Sequence, residues 1–299
     1  MSTITIKNET HWHELRKQTI GSSEVASLFD ANPYLTRLEL WLRKRGEIAD
    51  TIPDTERMFW GRKLESMIGA GAAERMQWTL HRRNIYFIHD DVKGMGCTPD
   101  AEIAKDDDLR PGVLEIKNVD GLAYRAWDDG EPPLNYLLQL QHQLACTGYT
   151  WGAIAALIGG NDLKVFVYDR HEAVIKKIER AVTEFWQSVQ TGEQPPAVAD
   201  DYDIVRDLYA ISEHKEIDLT GDNLLPELCA RIKAAAERRK AADQEEKQCK
   251  ALIMQKIGDA TLAKCNGFTI KATQVNKGEY LVKAQSYKQL TVKENQPNV

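Results

Sequence analysis

The chain is 299 residues long, with 42% hydrophobic and 28% charged side chains, so it can bury a full core in one catalytic domain and keep roughly a third of its length over. No stretch approaches the ~20 apolar residues that cross a bilayer, and the start MSTITIKNET lacks a basic region followed by an apolar core, so no membrane partner is expected and the expected location is the cytoplasm. The net charge of −6 is uneven, since residues 231–299 carry fourteen Lys/Arg against seven Asp/Glu and leave −13 for the rest; that balance does not by itself indicate a nucleic-acid partner.

In chain order, THWHELRKQTIGSSEVASLF reads as a short helix, a turn at Gly21-Ser22-Ser23, and a second helix capped by one of those serines. Glu24 falls early in that second helix, where a carboxylate suits the dipole. A helix follows in LTRLELWLRKRG and stops at Gly46. Another starts near Arg57 and runs through FWGRKLESMIGAGAAERM; its Gly69-Ala70-Gly71-Ala72 reads as close packing rather than as a phosphate loop.

From about residue 83 the period changes to two. NIYFIHDD, the segment ending in Ala101-Glu102-Ile103, and GVLEIKNV read as successive strands, the last two joined by a turn through Asp106-Asp107-Asp108 and Pro111-Gly112. After the Pro132-Pro133 loop, LNYLLQLQHQLACTG reads as a helix, WGAIAALIGG as a buried strand and LKVFVYD as an alternating one. HEAVIKKIERAVTEFWQSVQ is an amphipathic helix with Val174, Ile178, Val182, Phe185 and Val189 at core spacing.

TGEQPPAVADD reads as a boundary, giving a domain over 1–197 and an extension over 198–299. The extension holds a long charged helix over about 224–257, whose heptad pattern lapses at Arg239 and Glu246, then a small β element in FTIKATQVNKGEYLVKA turning at Asn276-Lys277-Gly278. Cys97, Cys146, Cys229, Cys249 and Cys265 form no CxxC pair and have no histidine at ligand spacing, so they read as reduced structural thiols rather than a zinc module. His142 reads as a polar flank of its helix.

Four features follow one another: a carboxylate on a helix (Glu65, at the edge of the stripe Leu64, Met67, Ile68), an Asp closing a strand (Asp100), Glu115-x-Lys117 on the next strand, and a glutamine-rich helix. Alternation puts Glu115 and Lys117 on one strand face about 6–7 Å apart at Cα, room for a metal and its water between them. Alone, Glu-x-Lys reads first as an exposed, salt-bridged strand face, and Thr98-Pro99-Asp100 as a turn. In this order they are a set that phosphodiester hydrolysis uses, because Mg²⁺ prefers carboxylate and water oxygens.

The set Trp60-Gly61-Arg62-Lys63-Leu64-Glu65, Gly96-Cys97-Thr98-Pro99-Asp100, Leu114-Glu115-Ile116-Lys117 and Tyr136-Leu137-Leu138-Gln139-Leu140-Gln141 resembles the YqaJ-type viral recombinases, relatives of the phage lambda exonuclease. Trp12-His13-Glu14-Leu15-Arg16 and Ile20-Gly21-Ser22-Ser23-Glu24-Val25 match the same family, and the resemblance covers about residues 10–195. It implies a PD-(D/E)xK α+β fold, with a mixed central sheet flanked by helices, to which the sequence adds the helical plus small β extension read above. It also implies a Mg²⁺-dependent exonuclease acting at duplex ends, 5′ to 3′, with Mn²⁺ able to substitute.

By that resemblance, Asp100, Glu115 and the Ile116 carbonyl would hold one ion and Glu65 a second. Lys117, as a partly desolvated amine, would orient and help deprotonate water, with Gln139 hydrogen-bonding near the site. Arg16 and Ser23 would grip a 5′-phosphate beside helix-terminal amides, with Trp12 stacking there or packing in the core, and Tyr136 contacting DNA from the glutamine face. Met58 and Phe59 read as core residues first and as a wedge against the terminal base pair second. Implied partners are duplex DNA ends, a single-strand annealing protein and further copies of the chain, a ring included. An endonuclease and a non-catalytic recombination scaffold are the alternative readings.

Overall fold

A computed structural model describes residues 2–49, 54–105, 108–209 and 216–276, together with Gly278, Gln289, Leu290 and Val292. The chain divides into two compact units, 1–208 and 209–299. The first unit contains β1 (Ser2–Thr5), α1 (Glu9–Lys17), α2 (Arg37–Arg45), α3 (Glu56–Met76), β2 (Trp78–His81), β3 (Ile85–Ile88), β4 (Gly96–Cys97), β5 (Ala101–Lys105), β6 (Asp108–Val119), α4 (Gly121–Tyr124), α5 (Leu134–Thr147), β7 (Trp151–Ile158), β8 (Asp162–Asp169), α6 (Glu172–Thr191) and α7 (Tyr202–Leu208).

Five strands make the central sheet in the order β2-β5-β6-β7-β8. All neighbours run antiparallel except β6 and β7, which α5 joins as a parallel crossover. The sheet is mixed and flanked by helices, which is the expected fold class. NIYFIHDD does not join it. β3 lies instead in a separate sheet of order β1-β3-β4, because Ser2–Thr5 pairs along it.

Two apolar layers sandwich the sheet. Leu38, Leu40 and Leu42 of α2, Leu140 and Leu144 of α5, and Ile178, Val182 and Phe185 of α6 form one. Ile68, Ala72 and Ala73 of α3 pack with Leu114, Ile116 and Trp151 in the other. Each fully buried Ile, Val or Phe contributes about 1.5–3 kcal/mol, so α6, with Ile175, Ile178, Val182 and Phe185 buried, is anchored along its length; Val174 and Val189 sit at its half-buried margin.

Pro111 and Gly112 lie inside β6 rather than in a turn. The β5–β6 register shifts between Ile103 and Lys105, and this irregularity leaves a place for a residue without an N–H. Gly112 is required there because a Cβ would stand 2.5 Å from the Trp151 ring. The acidic residues at 106–107 lie outside the described residues.

The first unit runs past residue 197 to Leu208. Asp201 is fully buried, accepts the Thr36 hydroxyl at the start of α2, and caps the Val198 N–H at 2.8 Å, which ties this segment to the body. The second unit consists of α8 (Leu224–Ile257), which has no buried side chain, and a hairpin of β9 (Leu262–Cys265) and β10 (Phe268–Lys271). Phe268–Lys271 is thus the second strand of a hairpin that turns at Gly267, with φ +80°; the strand expected after residue 278 lies outside the described residues. No helix among the described residues is long and apolar enough to cross a membrane.

Candidate active site

β6 alternates between the layers. Leu114 and Ile116 face α3 and Val113 faces α5, so Glu115 and Lys117 share the α5 face. Glu115 is 2% exposed and the Lys117 side chain 20%, which rules out a solvated salt-bridged surface. Asp100 opens a strand instead of closing one: the chain leaves β4, turns through Thr98 and Pro99, and enters β5. The pairing of Ala101 with Leu114 sets Asp100 alongside Glu115, and Asp100 Oδ2 accepts the Ile116 N–H at 2.7 Å.

α5 supplies one glutamine to each oxygen of Glu115. Gln139 Nε2 donates to Oε1 and Gln143 Nε2 to Oε2, both at 2.7 Å. They sit one turn apart and face the same way. Lys117 Nζ lies 2.6 Å from Glu115 Oε1, donates to Gln139 Oε1 at 2.9 Å, and stands 4.8 Å from the centre of the Tyr136 ring. Tyr136 therefore packs on the lysine and on Trp127, and does not line the cleft described below.

Burial, and then the neighbouring Glu115 charge, push the Asp100 carboxyl well above the ordinary carboxylate range; Lys117 opposes this and Glu65 adds to it. Burial alone would lower the Lys117 ammonium, but Glu115 outweighs it and holds the group above the usual lysine value. In this arrangement the lysine is a firm cation. A partly desolvated free amine is not what Glu115 favours.

Glu65 arrives from the other layer. α3 packs on the Leu114–Ile116 face, so this carboxylate reaches the others from across the sheet and pairs with Arg82 at 3.3 Å. Burial raises it, Arg82 lowers it and Glu115 raises it again, so it shares the field of the group. Its inward neighbours are Leu64, Ile68 and Ala72; Met67 is 70% exposed and leaves the expected stripe. Close approach is possible because Gly69, one turn beyond Glu65, has no side chain: a Cβ there would stand 2.8 Å from Ile116 Cδ1.

Beside Asp100 and Gln139 opens a cleft of about 160 Å³, also lined by Trp12, Arg16, Gly21, Ser22, Ser23, Tyr86, Cys97 and Thr98. The Arg16 guanidinium lies 4.7 Å from the Trp12 ring centre, and Trp12 Nε1 donates to Thr98 Oγ1 at 3.2 Å, so the tryptophan is a wall of the cleft. No serine caps a helix here. Glu24 precedes a 3₁₀ turn (Val25–Phe29) and accepts the Gly21 N–H at 2.7 Å. Its other contacts are Arg16 Nη2 at 3.0 Å and Lys44 Nζ at 2.8 Å. Burial would raise Glu24, but Lys44 and Arg16 hold it down at about 2.

Residues 11–150 match the profile of the YqaJ-like viral recombinase domain. This segment, just under half of the chain, resembles that domain. The uncharacterized protein YqaJ of Bacillus subtilis is 29% identical over 220 residues, 71% of this chain and 67% of its own length. Among solved structures, the alkaline exonuclease LHK-Exo from Laribacter hongkongensis superposes with a TM-score of 0.53 at 21% identity, covering 61% of this chain and 93% of that one. Its complex with dAMP gives a TM-score of 0.53 at 20% identity, over 62% and 94%. The first unit shares the fold of these alkaline exonuclease structures.

Within the matched segment, Asp100, Glu115, Lys117 and Gln139 come together, and Trp12, Arg16 and Ser23 meet at the adjoining cleft. Glu65 is near but drawn to Arg82. Among the described residues no three His, Cys, Asp or Glu side chains converge closely enough to hold an ion as they stand. The donor chemistry nevertheless fits a hard divalent cation: the available atoms are carboxylate and carbonyl oxygens, and Asp100 is buried beside the Glu115 carboxylate, both of which push its carboxyl up. Met58 and Phe59 are 39% and 40% exposed, so they are not core. His142 is fully buried, 3.0 Å from the Gly96 carbonyl, and is no polar flank. Lys44 and Arg82 left no signal in the sequence, whereas Gln143 shares a helix face with Gln139 and Tyr136 through its i+4 spacing from Gln139.

Proposed function

We propose that the chain is a Mg²⁺-dependent DNA exonuclease of a phage-type recombination system, acting at duplex ends and releasing nucleotides from the 5′-ended strand. One observation carries the reading: the cleft that holds Arg16 and Ser23 has Asp100 and Gln139 in its own wall. A cationic, serine-lined recess immediately beside buried carboxylates suits a terminal phosphate with its first internal linkage at the acidic group.

Asp100, Glu115 and the Ile116 carbonyl would hold the metal, with Glu65 reaching a second ion once it leaves Arg82. A bound Mg²⁺ supplies positive charge for the scissile phosphate and acidifies water, and Mn²⁺, which also takes oxygen ligands, is expected to replace it. Gln139 fixes Glu115 and Lys117 relative to each other. The Lys117 ammonium is placed to orient water and to offset charge developing on the phosphate. Arg16 and Ser23 bind the terminal phosphate, and Trp12 stacks on Arg16. An annealing protein that takes up the exposed strand, and self-association of this chain, belong to the same reading.

Linear and covalently closed circular duplex, incubated with the full chain and Mg²⁺, separate the possibilities. Digestion of the linear form alone is expected. Equal loss of both would replace the exonuclease with an endonuclease, and loss of neither would leave a binding scaffold.

A further inference from the structure

Gln143 is fully buried, and its amide joins two places that the reading above treats separately. Nε2 donates to Glu115 Oε2 at 2.7 Å and to Ser22 Oγ at 3.3 Å. Glu115 belongs to the carboxylate group; Ser22 lines the Arg16 cleft. The amide can point only one way, because an ionised carboxylate accepts and never donates. That leaves Oε1 buried with no partner, and a stranded buried acceptor costs about 1–3 kcal/mol. The side chain thus keeps a donor shared by Glu115 and Ser22 while its own oxygen is stranded, a role that an apolar residue of similar size would not fill.

We infer that Gln143 is a positioning residue that couples the two halves of the site: it presents Glu115 to the metal and ties that carboxylate to the cleft wall at Ser22, so that an anion in the cleft and a divalent cation at Glu115 bind with mutual preference. This inference rests on the exonuclease reading and adds a device to it. Through Ser22, an anion seated against the Gly21–Ser23 turn fixes the amide. The fixed amide orders the second Glu115 oxygen. Linkage is reciprocal, so the metal in turn tightens the anion. Outer-shell partners of metal ligands typically change affinity 10–100-fold when removed, which sets the scale expected.

The test is calorimetric titration of Mn²⁺ into the full chain, alone, with dAMP, or with deoxyadenosine, so that no turnover is needed. In the wild type, dAMP should tighten Mn²⁺ at least several-fold and deoxyadenosine should not. A phosphate that touched the ion directly would give the same gain, so the variants decide. Ser22→Ala should lose most of the dAMP gain while keeping Mn²⁺ affinity in its absence within a few-fold, and Ser22→Thr, which keeps the hydroxyl, should restore it. Gln143→Leu should weaken Mn²⁺ roughly tenfold or more and abolish the gain; Gln143→Met is the substitute if the leucine variant does not melt cooperatively. An unchanged gain in Ser22→Ala, or wild-type Mn²⁺ affinity in a folded Gln143→Leu or Gln143→Met, overturns the coupling. A wild type that binds Mn²⁺ and digests duplex ends but shows no dAMP effect overturns the coupling alone, whereas one that neither binds Mn²⁺ nor digests DNA overturns the nuclease reading with it.

Discussion

Gly69 of α3 lies so close to Ile116 of β6 that an added Cβ would stand 2.8 Å from Cδ1. Ile116 is the residue whose N–H holds Asp100 and whose neighbours are Glu115 and Lys117, so this helix–strand contact sets the floor of the site. Gly69→Ala should force the isoleucine or the helix to move, at about 1–3 kcal/mol, offset in part by the roughly 0.5–1 kcal/mol that alanine gains over glycine in a helix. Nuclease activity should therefore fall more than thermal stability does. Gly71→Ala is the control: its nearest neighbour, Leu163, stands at an ordinary 3.5 Å, so this variant should melt slightly higher and cut normally. Activity and Tm for the pair check the prediction, and equal behaviour would refute it.

Lys117→Met keeps the stem but removes the cation between Glu115 and Gln139. Single-turnover cleavage should drop about 10²–10³-fold, with duplex binding changed far less. A loss confined to binding would assign the lysine to DNA contact and remove it from chemistry.

Arg16→Ala should erase the preference for 5′-phosphorylated over 5′-hydroxyl ends, seen as a higher KM for the phosphorylated duplex and nearly unchanged KM for the hydroxyl one. If the variant still discriminates, the cleft beside Asp100 does not read the terminal phosphate.

Glu24 gives a pH signature. Its folded value of about 2 lies below its ordinary 4.5, so the stability it contributes is full above about 4.5 and drains away as pH falls toward 2. Glu24→Gln should be less stable at neutral pH by about 3–5 kcal/mol, because the buried Lys44 ammonium then faces a neutral amide. Its own melting temperature should also change less between pH 5 and pH 3 than the wild type's does, for want of that titration. Parallel melting curves against pH would show that Glu24 does not carry the ion cluster.

Much of this was legible in the sequence. The long helices announced themselves through period and caps: Gly46 closes α2, and the α6 stripe put Ile178, Val182 and Phe185 in the core as expected. Alternation alone placed Glu115 and Lys117 on one face. What the sequence could not convey was partnership across distance. β3 read as one of three successive strands because nothing near it in the chain reveals its partner β1, eighty or more positions earlier, and β4 is only two residues long. Pro111-Gly112 has turn composition, yet a register shift absorbs the proline and the Trp151 ring demands the glycine. Glu24 looked like a helix-dipole carboxylate because nothing local reveals Lys44 arriving from α2. Glu65 is half-buried and paired with Arg82, seventeen positions later, a partner that helix periodicity does not show.

The Gly21–Ser23 turn is stitched to the strand that leads into the acidic group: Ile20 N donates to the Gly94 carbonyl at 2.7 Å and Gly96 N to the Ile20 carbonyl at 3.3 Å. Only Cys97, Thr98 and Pro99 then separate Gly96 from Asp100. On the exonuclease reading, grip and blade are thus cast in one piece, and their spacing is a fixed gauge rather than an adjustable reach. A polymer end whose first linkage is lengthened by even one extra bond would overshoot the cutting edge while still fitting the grip.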